Sequence, residues 1–139
     1  MTERRRYPAP GIVVGWDAER CFHSRECVRA LPLVFDPGRR PWIDAGAAAA
    51  ADVAAAVRRC PSGALTYAPT GDDPSVTAEE TGEVVITASP GGPLLVRGDV
   101  RVVDGDEVVT MPRAALCRCG GSTRKPFCDG THRTNGFTG

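Results

Sequence analysis

The sequence lacks the patterns that several large function classes need. It contains no run of about 18 apolar residues, and no apolar segment that could serve as a signal peptide follows the three arginines near its start. Its formal net charge at pH 7 is zero, which argues against a general affinity for nucleic acid or anionic lipid. We therefore expect a cytoplasmic protein that binds neither nucleic acid nor membranes.

Motifs for enzymatic chemistry are also missing. The chain has no glycine-rich phosphate loop, no serine-nucleophile motif and no carboxylate pair in a recognisable pattern, so we expect no enzymatic activity. It does have six cysteines beside only two histidines. In a reducing cytosol, cysteines at short spacings are more often metal ligands or reactive thiols than disulfides.

The cysteines form two groups of three, which indicates two modules. The first group is Cys21, Cys27 and Cys60, and the second is Cys117, Cys119 and Cys128. Residues 68–83 lie between the groups and are rich in proline, glycine, threonine and acidic residues, which is typical of a linker or long loop. We predict domains over residues 11–67 and 84–139.

In the first module the patterns predict one strand and two helices. The strand is "GIVV" before Trp16, and a short helix over "SRECVRALP" must stop at Pro32, which has no amide donor. The alanine-rich "AAAAADVAAAVRRCP" predicts the second helix, with Cys60 near its end because Pro61 follows.

The second module predicts a small antiparallel β unit. Its short β-branched runs are "EVVIT", "LLV", "VRVV" and "EVVT", with a hairpin turn at residues 104–106 and a reversal at residues 89–93. Few apolar residues follow Cys117, so a bound group must order residues 117–139. The predicted fold class is α+β.

The C-terminal cysteines and one histidine form a dense set of soft ligands. The pattern is Cys117-x-Cys119-x8-Cys128-x3-His132, and such ligands suit zinc or iron-sulfur clusters. The single residue between the first two cysteines disfavours an ordinary zinc knuckle without excluding zinc. Asp129 is expected to cap a short helix that carries His132. For Ser122 a turn role competes with hydrogen bonding to sulfur.

This segment, "CRCGGSTRKPFCDGTH", resembles the signature of the CDGSH iron-sulfur proteins, the mitoNEET family, with Thr131 in place of the serine. The resemblance implies a [2Fe-2S] cluster with Cys117 and Cys119 on one iron and Cys128 and His132 on the other. It also implies a homodimer formed through the β unit, or a monomer if the attached first module covers the same surface. An imidazole ligand in place of a thiolate removes one negative charge, which raises the reduction potential, and it makes binding sensitive to acid.

The first group, with Cys60 followed by proline and the surrounding "RCFHSRECVRALPLVFD" and "RRCPSGALTY", resembles divergent single-cluster ferredoxins over about residues 11–67. The resemblance implies a small ferredoxin-like module in which Cys21, Cys27 and Cys60 hold the cluster. Three thiolates suffice for [3Fe-4S], whereas [4Fe-4S] requires Ser24, His23 or an outside ligand as the fourth. The aromatic residues Trp16, Phe35 and Trp42 are expected to shield the cluster or fill the core.

Two redox centres in one short chain indicate an electron carrier that serves a larger redox partner protein. A second hypothesis is a donor of iron-sulfur clusters, or a redox or pH sensor, that uses a labile CDGSH cluster. A third is an adaptor with two structural zinc sites, which predicts a colourless protein.

Overall fold

The computed structural model describes residues 5–21, 24–79 and 82–139. Its helices and strands are, in chain order, β1 (Arg5–Ala9), β2 (Ile12–Trp16), a 3-10 turn (Ala18–Arg20), α1 (Glu26–Ala30), α2 (Ala50–Arg58), β3 (Leu65–Pro69), β4 (Val85–Ala88), β5 (Leu94–Asp104), β6 (Glu107–Leu116) and a second 3-10 turn (Thr131–Arg133). The strands form two antiparallel sheets of three strands each.

These elements belong to two compact units. The first contains the described residues of Met1–Ala18, Ser24–Cys60 and Ala64–Glu79. The second contains those of Glu19–His23, Pro61–Gly63 and Glu80–Gly139. Cys21 therefore falls in the second unit, although the other two cysteines of its group fall in the first.

The first unit is a sheet in the order β1-β2-β3, with α2 against β2 and β3 and α1 against α2. Strand β2 contains residues 12–14 of the predicted "GIVV" segment, and its Ile12 and Val14 are fully buried. Val53 and Val57 of α2 are also fully buried, as four-residue spacing on one helix face predicts. The apolar core therefore forms between the central strand and the longer helix.

Both predicted helices are present with shorter bounds. Helix α1 ends at Ala30, before Pro32, and Cys60 lies two residues beyond the end of α2. Helix α2 begins at Ala50, so the preceding alanines are outside it. The ring of Trp42 packs against Trp16 with ring centroids 4.9 Å apart and against Phe35 at 5.8 Å. The three aromatic residues thus form one cluster of rings.

The second unit is a sheet in the order β4-β5-β6. Asp104 pairs with Glu107 across the predicted hairpin turn. The reversal at residues 89–93 is also present, with the Gly92 amide donating to the Ser89 carbonyl oxygen at 2.9 Å. The runs "LLV" and "VRVV" were predicted as separate but form one strand, β5, whose pairing with β6 has an irregularity between Arg97 and Val100.

Two strands of the first sheet have no counterpart in the sequence prediction. Strand β1 is "RRYPA" and β3 is "LTYAP"; both contain proline and neither alternates cleanly. Both strands pair with β2, one on each side, and this pairing stabilises an extended conformation that their own residues do not predict. Within the described ranges, no helix is long and apolar enough to cross a bilayer.

Candidate metal centres

The loop after β6 brings two of the predicted ligands together. The Cys117 amide donates to the Pro126 carbonyl oxygen, and the Cys128 amide donates to the Ala115 carbonyl oxygen, both at 2.8 Å. An isolated β-bridge joins Leu116 and Phe127 between them. The chain therefore leaves β6 at Cys117, turns, and returns alongside the end of the same strand at Cys128.

Ser122 fixes the turn inside this loop. Its buried hydroxyl donates to the Phe127 carbonyl oxygen at 2.6 Å and accepts from the Arg124 amide at 3.0 Å. These two hydrogen bonds support the predicted turn role of Ser122 over a hydrogen bond to sulfur. Loop geometry thus depends on a small hydroxyl residue at this position.

Asp129 ties the loop to the turn that carries His132. Its carboxylate accepts from the amide and hydroxyl of Thr123, both at 2.9 Å, and from the Thr131 amide at 3.0 Å and hydroxyl at 2.5 Å. The Thr123 amide bond contributes most to holding the pKa of this carboxyl well below its usual range. The formal cap of the turn is Gly130, so Asp129 acts from one residue earlier than expected.

Backbone amides point at two of the sulfur atoms. The Gly121 amide lies 3.4 Å from the Cys119 sulfur, and the Gly130 amide lies 3.4 Å from the Cys128 sulfur. The Gly121 amide is the main reason that the pKa of the Cys119 thiol is lowered. Amide hydrogen bonds to sulfur stabilise negative charge there, as a metal-bound thiolate requires.

Cys128 has the opposite shift. Burial raises the pKa of its thiol, the Gly130 amide opposes that effect, and the negative charges of Asp129, Cys117 and Cys119 add to the increase. Three thiols are thus close enough to repel one another once ionised. A positively charged metal core bound among them would relieve that repulsion, so the residues fit such a group.

His132 completes the group. Its Nδ1 atom lies 3.4 Å from the Cys128 sulfur. Burial, assisted by the positive charge of Arg133, lowers the pKa of the imidazole. Since only neutral imidazole binds a metal, this shift favours the binding form.

The arrangement is one of paired donors. Among the described residues, no three His, Cys, Asp or Glu side chains converge where a single metal ion could sit. A two-iron cluster does not require such convergence, because its ligands divide into one pair on each iron. Cys128 with His132 forms one pair in space, and Cys117 with Cys119 forms the other in sequence.

The first cysteine group lies at the ends of short helices. Cys27 is in α1 and is half-buried, while Cys60 is buried just after α2. A salt bridge of 3.8 Å between Glu26 and Arg59, the neighbours of these two cysteines, links the two helix ends. Cys21 follows the first 3-10 turn, in the second unit. Joint binding of one cluster by these three thiols stays a prediction.

The two candidates for a fourth ligand differ in what can be said of them. The Ser24 hydroxyl accepts a long hydrogen bond of 3.5 Å from the Glu26 amide, at the start of α1. His23 lies outside the described residues. The predicted roles of both as ligands stay predictions.

The sequence does not predict the contacts of three arginines near the second group. Arg118 lies between two predicted ligands and donates to the carbonyl oxygens of Ser89, Gly92 and Gly139. Arg124 donates to the carbonyl oxygens of Glu19 and Cys21. Arg20 lies over the Phe127 ring, 4.9 Å from its centroid. Their acceptors are distant in sequence, so residue type alone could not identify them.

Comparison with known proteins agrees with this division. Residues 7–70 match the family model described as divergent 4Fe-4S mono-cluster, and residues 91–133 match the model described as iron-binding zinc finger, CDGSH type. The two matches and the C-terminal group of thiols and imidazole define an iron-sulfur protein. The chain belongs to the divergent 4Fe-4S mono-cluster family, with a CDGSH-type domain joined to it. The resemblance inferred from the sequence is therefore confirmed.

Two curated relatives are proteins of Escherichia coli. "Uncharacterized protein YjdI" of strain K12 is 38% identical over 63 residues, which is 45% of this chain and 83% of the relative. The protein of the same description in strain O157:H7 gives the same values. No solved structure matches the chain.

Proposed function

We propose that this protein is an electron-transfer protein with two iron-sulfur clusters. Cys117, Cys119, Cys128 and His132 would hold a [2Fe-2S] cluster, and Cys21, Cys27 and Cys60 would hold a [3Fe-4S] or [4Fe-4S] cluster in a ferredoxin-like module. Bound clusters would supply one-electron redox chemistry. The observation that carries the proposal is the pairing of the Cys128 sulfur with the His132 imidazole at 3.4 Å.

The surrounding residues would set the properties of the second centre. The Gly121 and Gly130 amides would stabilise negative charge on sulfur, which makes uptake of an electron less unfavourable. His132, Cys117 and Cys119 are only half-buried, so a partner protein could approach their edge closely. We propose electron exchange with such a partner in the cytoplasm, rather than catalysis on a small substrate.

The partial exposure of three ligands also supports a second function, donation of a labile cluster to another protein or sensing of redox state or pH. One anaerobic experiment, which follows iron content and visible absorbance, distinguishes a cluster donor from an electron carrier. A carrier keeps its iron through repeated dithionite reduction and reoxidation, even beside an apo-acceptor protein. A donor loses iron to the acceptor without redox turnover, and that result would overturn the proposal of electron transfer.

We also propose that two copies pair through the sheet of β4, β5 and β6. Exposed apolar side chains on these strands support it: Val85, Ile86, Val103 and Val108. Sedimentation at several concentrations tests the pairing. An Ile86→Lys variant should be monomeric where the native chain is dimeric, and a native chain that is monomeric at every concentration would contradict the proposal.

A further inference from the structure

The two nitrogen atoms of the His132 ring have different surroundings. Nδ1 faces the Cys128 sulfur at 3.4 Å. Nε2 lies beside the turn Ser89–Pro93, where a methyl group added at Gly92 would lie 3.6 Å from it. That separation is ordinary van der Waals contact. The turn therefore covers the edge of the imidazole opposite the proposed metal.

The turn is closed by its own backbone. The Ser89 amide donates to the Pro93 carbonyl oxygen at 3.0 Å, and the Gly92 amide donates to the Ser89 carbonyl oxygen at 2.9 Å. The Gly91 amide donates to the Gly139 carbonyl oxygen at 2.9 Å. Such a short turn has no apolar side chains large enough to hold it against His132, so its position depends on other contacts.

Arg118 provides those contacts. Its Nε donates to the Gly92 carbonyl oxygen at 3.0 Å, and one terminal nitrogen donates to the oxygens of Ser89 at 2.8 Å and Gly139 at 2.9 Å. The guanidinium also lies over the Phe137 ring, 5.0 Å from its centroid. The planar, multiply donating group suits three acceptors, whereas a lysine ammonium would not reproduce this geometry.

We propose that Arg118 is a positioning residue that holds the turn Ser89–Pro93 over the Nε2 edge of His132 and so slows release of the bound cluster. The inference rests on the proposed binding of a cluster by His132. Arg118 stands between Cys117 and Cys119 in the chain, so it anchors to the ligand loop itself. Water reaches the imidazole when the turn lifts, and the contacts of Arg118 oppose that motion.

The first test is the rate of cluster loss, followed by visible absorbance in the loaded, oxygen-protected full chain. Arg118→Ala and Arg118→Lys should both lose the cluster roughly tenfold faster, because hydrogen bonds from a charged donor are lost in each. Arg101→Ala, which changes an exposed arginine on β5, should match the native rate. A native rate of cluster loss in both Arg118 variants would overturn the proposal. A native rate in Arg118→Lys alone would also overturn it, because positive charge at position 118, and not the geometry of the guanidinium, would then control cluster loss.

A second variant acts in the opposite direction and does not depend on the folding of Arg118 variants. Ser89→Ala combined with Gly92→Ala places a methyl group against Nε2, and the serine change makes room because that methyl would lie 3.2 Å from the Ser89 hydroxyl. The double variant should lose the cluster at least about threefold more slowly than Ser89→Ala alone. An equal or faster rate would count against cover by the turn.

The third test uses the protein as purified, whatever metal it holds, so it separates this inference from the proposed function. Diethyl pyrocarbonate modifies accessible imidazoles, and mass spectrometry of the modified protein gives the modification rate at His132 with His23 as internal reference. Arg118→Ala should raise the His132 rate several-fold, and Ser89→Ala with Gly92→Ala should lower it relative to Ser89→Ala. Unchanged rates in a folded chain would contradict the cover. The same shifts in a chain that never binds iron would retain the cover and refute the cluster.

Discussion

The His132 Nδ1 atom and the Cys128 sulfur face each other at 3.4 Å, on a turn that Asp129 and Gly130 form between them. This pair supplies one imidazole where an all-cysteine site would have a second thiolate. Replacement by His132→Cys adds one negative charge at the proposed cluster. The midpoint potential should fall by roughly 100 mV or more, since full histidine substitution on one iron accounts for several hundred millivolts.

Protein-film voltammetry or an EPR-monitored redox titration measures this potential. The native chain at the same pH is the reference, and the proposed first cluster, which other residues would hold, serves as an internal control. A potential unchanged in the variant would remove His132 from the ligand set.

Acid should release the second cluster only below the ordinary titration range of histidine. Burial lowers the pKa of His132 from 6.5, so between 6.5 and that lowered value an unfolded chain would protonate this residue while the folded chain keeps it neutral. The folded chain therefore loses stability as pH falls through this window, but its imidazole stays neutral and can still bind the metal. The midpoint of absorbance loss should lie below pH 6.5, and a midpoint at or above it would contradict the assignment.

Arg133 provides a variant for the same measurement. Its positive charge is the second cause of the lowered pKa of His132, after burial. Arg133→Ala should therefore shift cluster loss to higher pH, because the imidazole is then easier to protonate. Arg101→Ala removes an equal charge from the exposed face of β5 and should leave the midpoint in place.

Asp129 should stabilise the folded chain through its charge. It accepts four hydrogen bonds from two threonines, so Asp129→Asn should lower the free energy of unfolding by roughly 1–2 kcal/mol near neutral pH. The lowered pKa of the carboxyl means that this contribution is present above about pH 4 and is lost as pH falls below it. Denaturant melts at pH 7 and pH 3 should show the difference shrinking in acid.

Asp99, exposed on β5, supplies the matched change Asp99→Asn, for which no loss is expected. A loss of stability in Asp129→Asn that persisted undiminished at pH 3 would show that charge on the carboxylate is not the cause.

Ser24 tests the composition of the first cluster. The hydroxyl stands at the start of α1, three residues before Cys27, where the usual spacing of ferredoxin ligands places a cysteine. Ser24→Cys should favour a four-iron cluster, seen as a changed EPR spectrum and a higher iron content. Ser75→Cys, which adds a thiol to an exposed loop, should change neither. An unaltered spectrum in Ser24→Cys would count against the proposed alignment of the three cysteines.

Local sequence patterns predicted the helices and turns that depend mainly on their own residues. Proline at position 32 limited α1, glycine at position 105 formed the hairpin turn, and alanine content with paired valines produced α2. The strands β1 and β3 depend on pairing with β2 rather than on their own residues, so periodicity could not find them. Partners distant in sequence decide such elements.

The second group of candidate ligands was recognisable because its four residues lie within sixteen positions. The contacts that hold it were not, since Arg118 reaches carbonyl oxygens 21 to 29 residues away. Arginine is a common surface residue, and only the fold determines which carbonyl oxygens it can reach. Ligand identity is thus a local property here, and ligand positioning is a property of the whole unit.

The central claim is that thiolates and one imidazole hold iron and inorganic sulfide at two sites. It is tested most directly by iron, sulfide and zinc analysis of anaerobically purified protein, with EPR before and after dithionite. The account predicts about five or six iron atoms and about six sulfides per chain, with two distinct EPR signals. Folded protein that is colourless, free of sulfide and loaded with zinc would contradict it.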